Sequence, residues 1–197
     1  MDVRQYNFRG CAPEELSEDA VAALEQAACL GRQQAVTMTA VADSGHPAGS
    51  LSSMEMYLVT YGVANVTPET ADALDRDHVV VSHGHTSPGA YAALGAWGFV
   101  DANDAEAHFR DCGSPFSGHV ERSLPGVDWS SGNLGQGLAA GVGYALAARA
   151  RKNGAHTFVL MGDGGQTKGQ SAEARRIARK EQLGALTVLV DCNGIQI

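Results

Sequence analysis

The chain has 197 residues, 44% of them apolar and 18% charged, the composition of one folded, well-buried domain rather than a disordered segment. Its 14 basic and 22 acidic side chains leave a formal charge of −8, which argues against a nucleic-acid surface built on clustered Lys and Arg. Cys11, Cys29, Cys112 and Cys192 show no CxxC spacing, there is no signal-peptide core, and no apolar run is long enough to span a bilayer. The expected setting is a reducing cytoplasm, with no membrane or nucleic-acid partner.

In chain order, Ser17 is placed to cap a helix reaching about Ala42, with Val21, Leu24, Ala28, Ala35 and Met38 at helical spacing. Ser44-Gly45-His46-Pro47 breaks that pattern. Ser52-Ser53-Met54-Glu55 reads as a capping box opening a second helix towards Val63. His78 to Ser82 reads as a short buried strand, followed by the loop His83-Gly84-His85 and a small-residue helix from about Gly89 to Trp97.

The polar, glycine-rich stretch from Asp111 to Gly132 reads as a functional loop. Leu134 to Lys152 reads as a helix carrying Gly135, Gly137, Gly141 and Gly143. Each glycine costs a helix up to about 1 kcal/mol, a cost that makes sense where backbone must come very close to another helix, chain or ligand. The last third reads as strand (Thr157–Met161), loop (Gly162–Gly169), helix (Gln170–Gln182) and strand (Leu186–Asp191). Such alternation implies an α/β fold: a mostly parallel sheet covered by helices on both faces. The cluster Arg175, Arg176, Arg179, Lys180 fits a solvated helix face.

Gly162-Asp163-Gly164 follows a strand and precedes a helix, so Asp163 belongs in the crevice outside the carboxyl ends of the strands. Glycines there let backbone approach a diphosphate, and the helix start offers free N–H groups. Asn193 lies just past the end of the next strand, near Asp163. A carboxylate, an amide oxygen and diphosphate oxygens are hard ligands that suit magnesium or, with looser geometry, calcium. No G-x-G-x-x-G opens a helix after a strand, and Gly164–Gly169 is followed by Gln170-Ser171 rather than the Lys of a Walker loop.

Gly-Asp-Gly followed by this Asn resembles the thiamine-diphosphate fingerprint. Upstream, Ser44-Gly45-His46-Pro47, Ser82-His83-Gly84-His85, Gly113-Ser114-Pro115 with Gly118-His119, Leu124-Pro125-Gly126-Val127 and Ser131-Gly132-Asn133-Leu134-Gly135-Gln136-Gly137 are similar, in order and spacing, to successive transketolase motifs. The resemblance runs from about Leu16 to Ile197 and is weaker to the related family that makes deoxyxylulose phosphate. It implies a thiamine-diphosphate-binding fold, with residues 1–197 forming a single diphosphate-binding domain that is incomplete at its C-terminal end.

The implied metal ligands are Asp163, Asn193 and the Ile195 main-chain carbonyl. Gly132, Leu134, Gly162, Gly164 and Glu173 match cofactor-binding positions, and His46, His85 and His119 match histidines around the thiazolium carbon and the sugar. Near neutral pH such imidazoles can hydrogen-bond sugar hydroxyls and move protons. The resemblance does not extend to His83, where the family more often has Lys or Asn, and a His83/His85 metal pair is not favoured. His78, His108 and His156 are read as structural.

The implied activity is transfer of a two-carbon ketol unit from a ketose to an aldose. It needs a complementary pyrimidine-binding domain or partner chain, sugar or sugar-phosphate substrates, and homo- or hetero-oligomeric assembly. Two departures keep other readings open. Lys168 stands where the family usually has a Glu that links two active sites, and the chain lacks the second domain. It could be one subunit of a split enzyme, a truncated piece, a non-catalytic interaction subunit, or part of another thiamine-dependent carboligase.

Overall fold

The computed structural model of the chain describes residues 1–194, so the Ile195 carbonyl lies outside the described residues. Helix α1 spans Glu18–Val41, and the Ser17 side chain caps it by accepting from the Ala20 N–H. Its buried stripe is Ala20, Ala23, Ala28, Gly31, Ala35 and Met38, whereas Val21 is exposed. The stripe is small for a reason: a Cβ on Gly31 would stand 2.7 Å from Met54 Sδ, so α1 lies almost flush on its neighbours.

The expected capping box at Ser52 does not form. Helix α2 (Pro47–Ser52) starts earlier, with His46 at its N-cap, and α3 (Met54–Val63) follows from Ser53 without a side-chain cap. The serine hydroxyls serve a distant acceptor instead: Ser52 Oγ and Ser53 Oγ donate to the two oxygens of Asp191, at 2.7 and 2.8 Å. Strand β1 is His78–Val81, helix α4 is Ser87–Ala96, and a short polar helix α5, Ala102–His108, precedes the long loop. Helix α6 spans Gln136–Arg151, β2 Thr157–Gly162, α7 Gly169–Lys180 and β3 Leu186–Asp191.

The strands pair in parallel in the order β1-β2-β3, with Val81 opposite Leu160 and Leu160 opposite Leu189. Alternation sorts the side chains of β1 and β2 between two cores. Val79, Val81 and Leu160 join the core of α1, α3 and α4 around Tyr57, Tyr91 and Phe109. Val80, Val159 and Met161 meet Leu138 and Val142 of α6 and Ala174 of α7 on the other face.

Helix α6 comes as close as its glycines suggest, and what it approaches is the chain's own sheet. A Cβ on Gly137 would stand 2.5 Å from the Ser82 Cβ, and one on Gly141 would overlap Val159. Gly135 sits at the helix N-cap with φ +88°, a left-handed conformation that favours glycine. Coverage of both sheet faces holds for β1 and β2 but not for β3, where Val188 and Val190 are exposed beside an open groove along α7. The basic residues Arg175, Arg176, Arg179 and Lys180 are all exposed on α7, as their spacing suggests.

Candidate functional site

A cleft opens at the carboxyl ends of the strands. Its floor is Gly162, Asp163, Gly164 and Gly165 after β2; one wall holds Asp191 and Asn193 after β3, and the other holds Gly45, His46, His83 and His85. Parallel strands with intervening helices place all their carboxyl ends on one edge, which is why positions so far apart in sequence converge here.

Asp163 begins a short 3-10 turn and is fixed from both sides. Its Oδ1 accepts the Gly164 N–H at 2.8 Å and its Oδ2 accepts the Gly194 N–H at 3.3 Å, tying the ends of β2 and β3 together. Asn193 Nδ2 donates to Asp191 Oδ2 at 3.3 Å. The Asp191 carboxylate thus gathers the Asn193 loop and the α2–α3 junction at one point.

The opposite wall depends on Gly45. Its φ of +134° lies where L side chains rarely go, and a Cβ would stand 2.7 Å from the Thr39 methyl. That turn delivers His46, whose ring meets His85 edge-to-face at 5.4 Å between centroids. His85 sits in a 3-10 turn, Gly84–Thr86, steadied by the Thr86 hydroxyl bonding to Tyr57 Oη at 2.5 Å. Burial pushes the His85 imidazole below its usual pKa, helped by neighbouring His46 and His119. His119 is also held low, by partial desolvation first and then by Arg110 and His46. Arg110 Nη1 in turn donates to Ser44 Oγ at 2.5 Å, joining the long loop to the His46 turn.

The structure therefore brings His46, His85, Leu134, Gly162, Asp163, Gly164 and Asn193 to one cleft, with His119 electrostatically coupled to its histidines. Three expected positions stand outside the lining: His119, Gly132 and Glu173. Gly132 is exposed with open space around it, and Glu173 is exposed on α7. Lys168 is exposed at the N-cap of α7, its stem against Gly135.

The histidines read as structural have structural partners. His78 Nδ1 pairs with Asp128 at 3.0 Å, His108 with Asp104 and Asp111, and His156 Nε2 bonds Thr187 Oγ1 at 2.8 Å. Among the ionisable side chains of the cleft, sequence reasoning missed Asp191 and His83. Asp191 carried a signal, because the carboxyl-end rule that selects Asp163 applies equally to the last residue of β3.

Residues 24–197 match the family described as transketolase, thiamine diphosphate binding domain. The chain belongs to the transketolase family. This transketolase domain is 35% identical over 180 residues to one subunit of the apulose-4-phosphate transketolase of Phocaeicola vulgatus, spanning 90% of the chain and 63% of that relative. It is 35% identical over 173 residues to transketolase 1 of Saccharomyces cerevisiae, spanning 83% of the chain and 25% of that protein. The crystal structure of a transketolase variant from Pichia stipitis superposes with a TM-score of 0.80 at 32% identity, covering 88% of the domain and 27% of that chain. The domain thus spans less than two thirds of the first relative and about a quarter of the larger ones.

The cleft fits the cofactor that the family's description names. Its glycine floor admits a diphosphate, and the Asp163 carboxylate and Asn193 amide supply hard oxygens. Among the described residues no group of three or more His, Cys, Asp or Glu side chains could hold a metal, so the metal-holding set would be short. Magnesium tolerates such a set, since it usually keeps several waters and takes one or two carboxylates plus ligand phosphates.

Proposed function

We propose that this chain supplies the diphosphate-binding half of a transketolase-type active site. The observation that carries the reading is the convergence of Asp163 and Asn193 with His46 and His85 across one cleft. Magnesium, or calcium, would be held by Asp163 and Asn193; the Ile195 carbonyl that the resemblance adds lies outside the described residues. Gly162 and Gly164 would hold the diphosphate, and Leu134 with the adjoining Gly132 loop would flank the cofactor. Glu173 serves the site from α7 rather than from the lining. When bound, thiamine diphosphate supplies a nucleophilic carbon for cleaving and re-forming ketose carbon–carbon bonds.

The chain's own part is binding and proton handling. His85 and His119, both held below their usual pKa, are neutral at pH 7 and can accept protons from sugar hydroxyls. With His46 they orient a ketose donor and an aldose acceptor, so that a two-carbon ketol unit passes between them. The aminopyrimidine is held and activated by a complementary pyrimidine-binding chain or domain. The Phocaeicola vulgatus relative, by its name one subunit of a divided transketolase, favours a separate chain.

On this reading residues 1–197 are one diphosphate-binding domain and the working enzyme is an oligomer. Among the described residues no helix is long and apolar enough to cross a membrane. The four free cysteines fit a reducing cytoplasm.

The test is calorimetry of magnesium and thiamine diphosphate on the chain, alone and with the complementary subunit, followed by a ketol-transfer assay of the pair. Binding and turnover by the pair support the reading. Absence of binding heat with the complementary subunit present refutes it, while binding without turnover points to a non-catalytic interaction subunit.

A further inference from the structure

His83 is the one fully buried imidazole of the cleft, 1% exposed, and its two nitrogens have opposite surroundings. Nε2 is sealed from solvent and has no hydrogen-bond partner among the described residues. Nδ1 faces the cleft floor, 3.8 Å from where a Cβ on Gly162 would stand, so the missing side chain leaves open the space in front of it. The Tyr57 ring, at 5.6 Å between centroids, closes off another side of the imidazole.

Burial pushes the pKa of this imidazole down to about 3, with His85 adding to the shift and Asp191 opposing it, so the ring is neutral at pH 7. A neutral imidazole carries one proton, and buried unpaired N–H groups are rarer than under-satisfied acceptors. The proton therefore belongs on Nδ1. His83 then presents to the cleft a donor without charge, beside the floor on which Asp163 stands. An imidazolium there would repel a divalent cation on Asp163, whereas a neutral N–H does not. A donor of this kind matches an oxygen that only accepts, and a phosphoryl oxygen is such an oxygen.

We propose that His83 Nδ1–H is a diphosphate-binding donor, bonding a phosphoryl oxygen over Gly162 and fixing how deep the diphosphate sits. The proposal rests on the cleft being the diphosphate site argued above.

Two side chains separate the ring nitrogens. The Asn amide nitrogen can stand where Nδ1 stands, and the Gln amide nitrogen where Nε2 stands. The full chain and its His83→Asn, His83→Gln and His83→Phe variants are titrated calorimetrically with magnesium pyrophosphate, magnesium thiamine diphosphate and unphosphorylated thiamine. His83→Asn is expected to hold pyrophosphate within about threefold of wild type, and His83→Gln and His83→Phe to weaken it about tenfold or more, the worth of a hydrogen bond to an anion. Thiamine binding stays unchanged throughout.

Nitrogen-15 shifts of His83 in the free chain are expected to show the Nδ1–H tautomer. An Nε2–H tautomer, equal losses in the Asn and Gln variants, or no loss in His83→Phe overturns the proposal. If His83→Phe does not fold, the Asn and Gln pair, which differ only in where the amide sits, carries the comparison. Wild-type chain that binds neither magnesium pyrophosphate nor magnesium thiamine diphosphate, even with the complementary subunit, refutes the reading of the cleft and takes this proposal with it.

Discussion

Asp128→Ala is expected to cost the fold heavily while leaving the cleft's ligand affinity intact. Asp128 is 5% exposed and accepts four hydrogen bonds. Two come from Arg76 at 2.9 Å, one from His78 Nδ1 at 3.0 Å and one from the Val79 N–H at 2.8 Å. The carboxylate thus fastens the start of β1 at the edge of the sheet opposite the cleft, and Tyr144 stacks on His78 at 4.5 Å to close the cluster. Removing it leaves the Arg76 guanidinium, only 11% exposed, with the Ala71 and Asp77 carbonyls but no counter-charge, and unpairs one backbone donor. Breaking a buried pair by deleting one partner costs about 3–5 kcal/mol, and this pair is screened by little water.

For a chain of this size each kcal/mol lowers Tm by roughly 2–4 °C, so the expected fall is about 6–20 °C. Urea unfolding followed by circular dichroism measures the loss, and calorimetry with magnesium pyrophosphate checks the cleft. A loss below about 1 kcal/mol would mean the cluster behaves as a solvated surface pair, and the reasoning fails. Replacing both partners, Arg76→Met with Asp128→Leu, should recover much of the loss, because no charge is then left unpaired.

Acid should unfold the protein through two different groups. Burial alone would raise the Asp128 pKa, but the bonds from His78 and Arg76 outweigh it and hold it below 3.8, so its contribution is present above that pH and fades as pH falls through the lower folded value. His83, with a folded pKa of about 3 against an ordinary 6.5, is protonated more readily when unfolded, so stability drains as pH falls from 6.5 towards 3. Between pH 7 and pH 5 this one group is worth about 2 kcal/mol, and His83→Asn should flatten that part of a urea-midpoint profile. Gly137→Ala drives a methyl to 2.5 Å from the Ser82 Cβ and should cost about 1–3 kcal/mol by lifting α6 from β1, measured by the same unfolding curves. Asp163→Ala, or chelation of wild type with EDTA, should abolish metal-dependent binding of thiamine diphosphate in calorimetry; undiminished affinity in either would remove Asp163 from the metal site.

The parts of the fold legible in the sequence were those set by local pattern. The valine run at β1, the glycines of α6 and the strand–loop–helix–strand unit from Thr157 to Asp191 lie where periodicity and turn chemistry put them. Misreadings arose where a distant partner overruled a local motif. Ser52 and Ser53 satisfy a local capping pattern, yet both hydroxyls turn to donate to the Asp191 carboxylate, and neither oxygen accepts from a helix N–H.

Helix α5 spans only Ala102–His108, buries Ala105 alone, and gives no apolar stripe to read. Val188 and Val190 look like the residues of a covered strand because sequence reports what a side chain suits, not what packs on it. Asp163 and Asn193 were legible because strand ends announce themselves. His83 was not, since its significance depends on which ring nitrogen faces outward.

The clasp between Asp191 and Ser52 joins positions 139 apart in the chain. Contacts of such separation form late, because the loop they close must first lose its freedom. Until β3 has paired with β2, the α2–α3 junction behind the His46 turn lacks its bonds to Asp191 on the far wall. The two walls of the cleft thus hang on one carboxylate, so that loosening β3 from β2 loosens the turn bearing His46 as well.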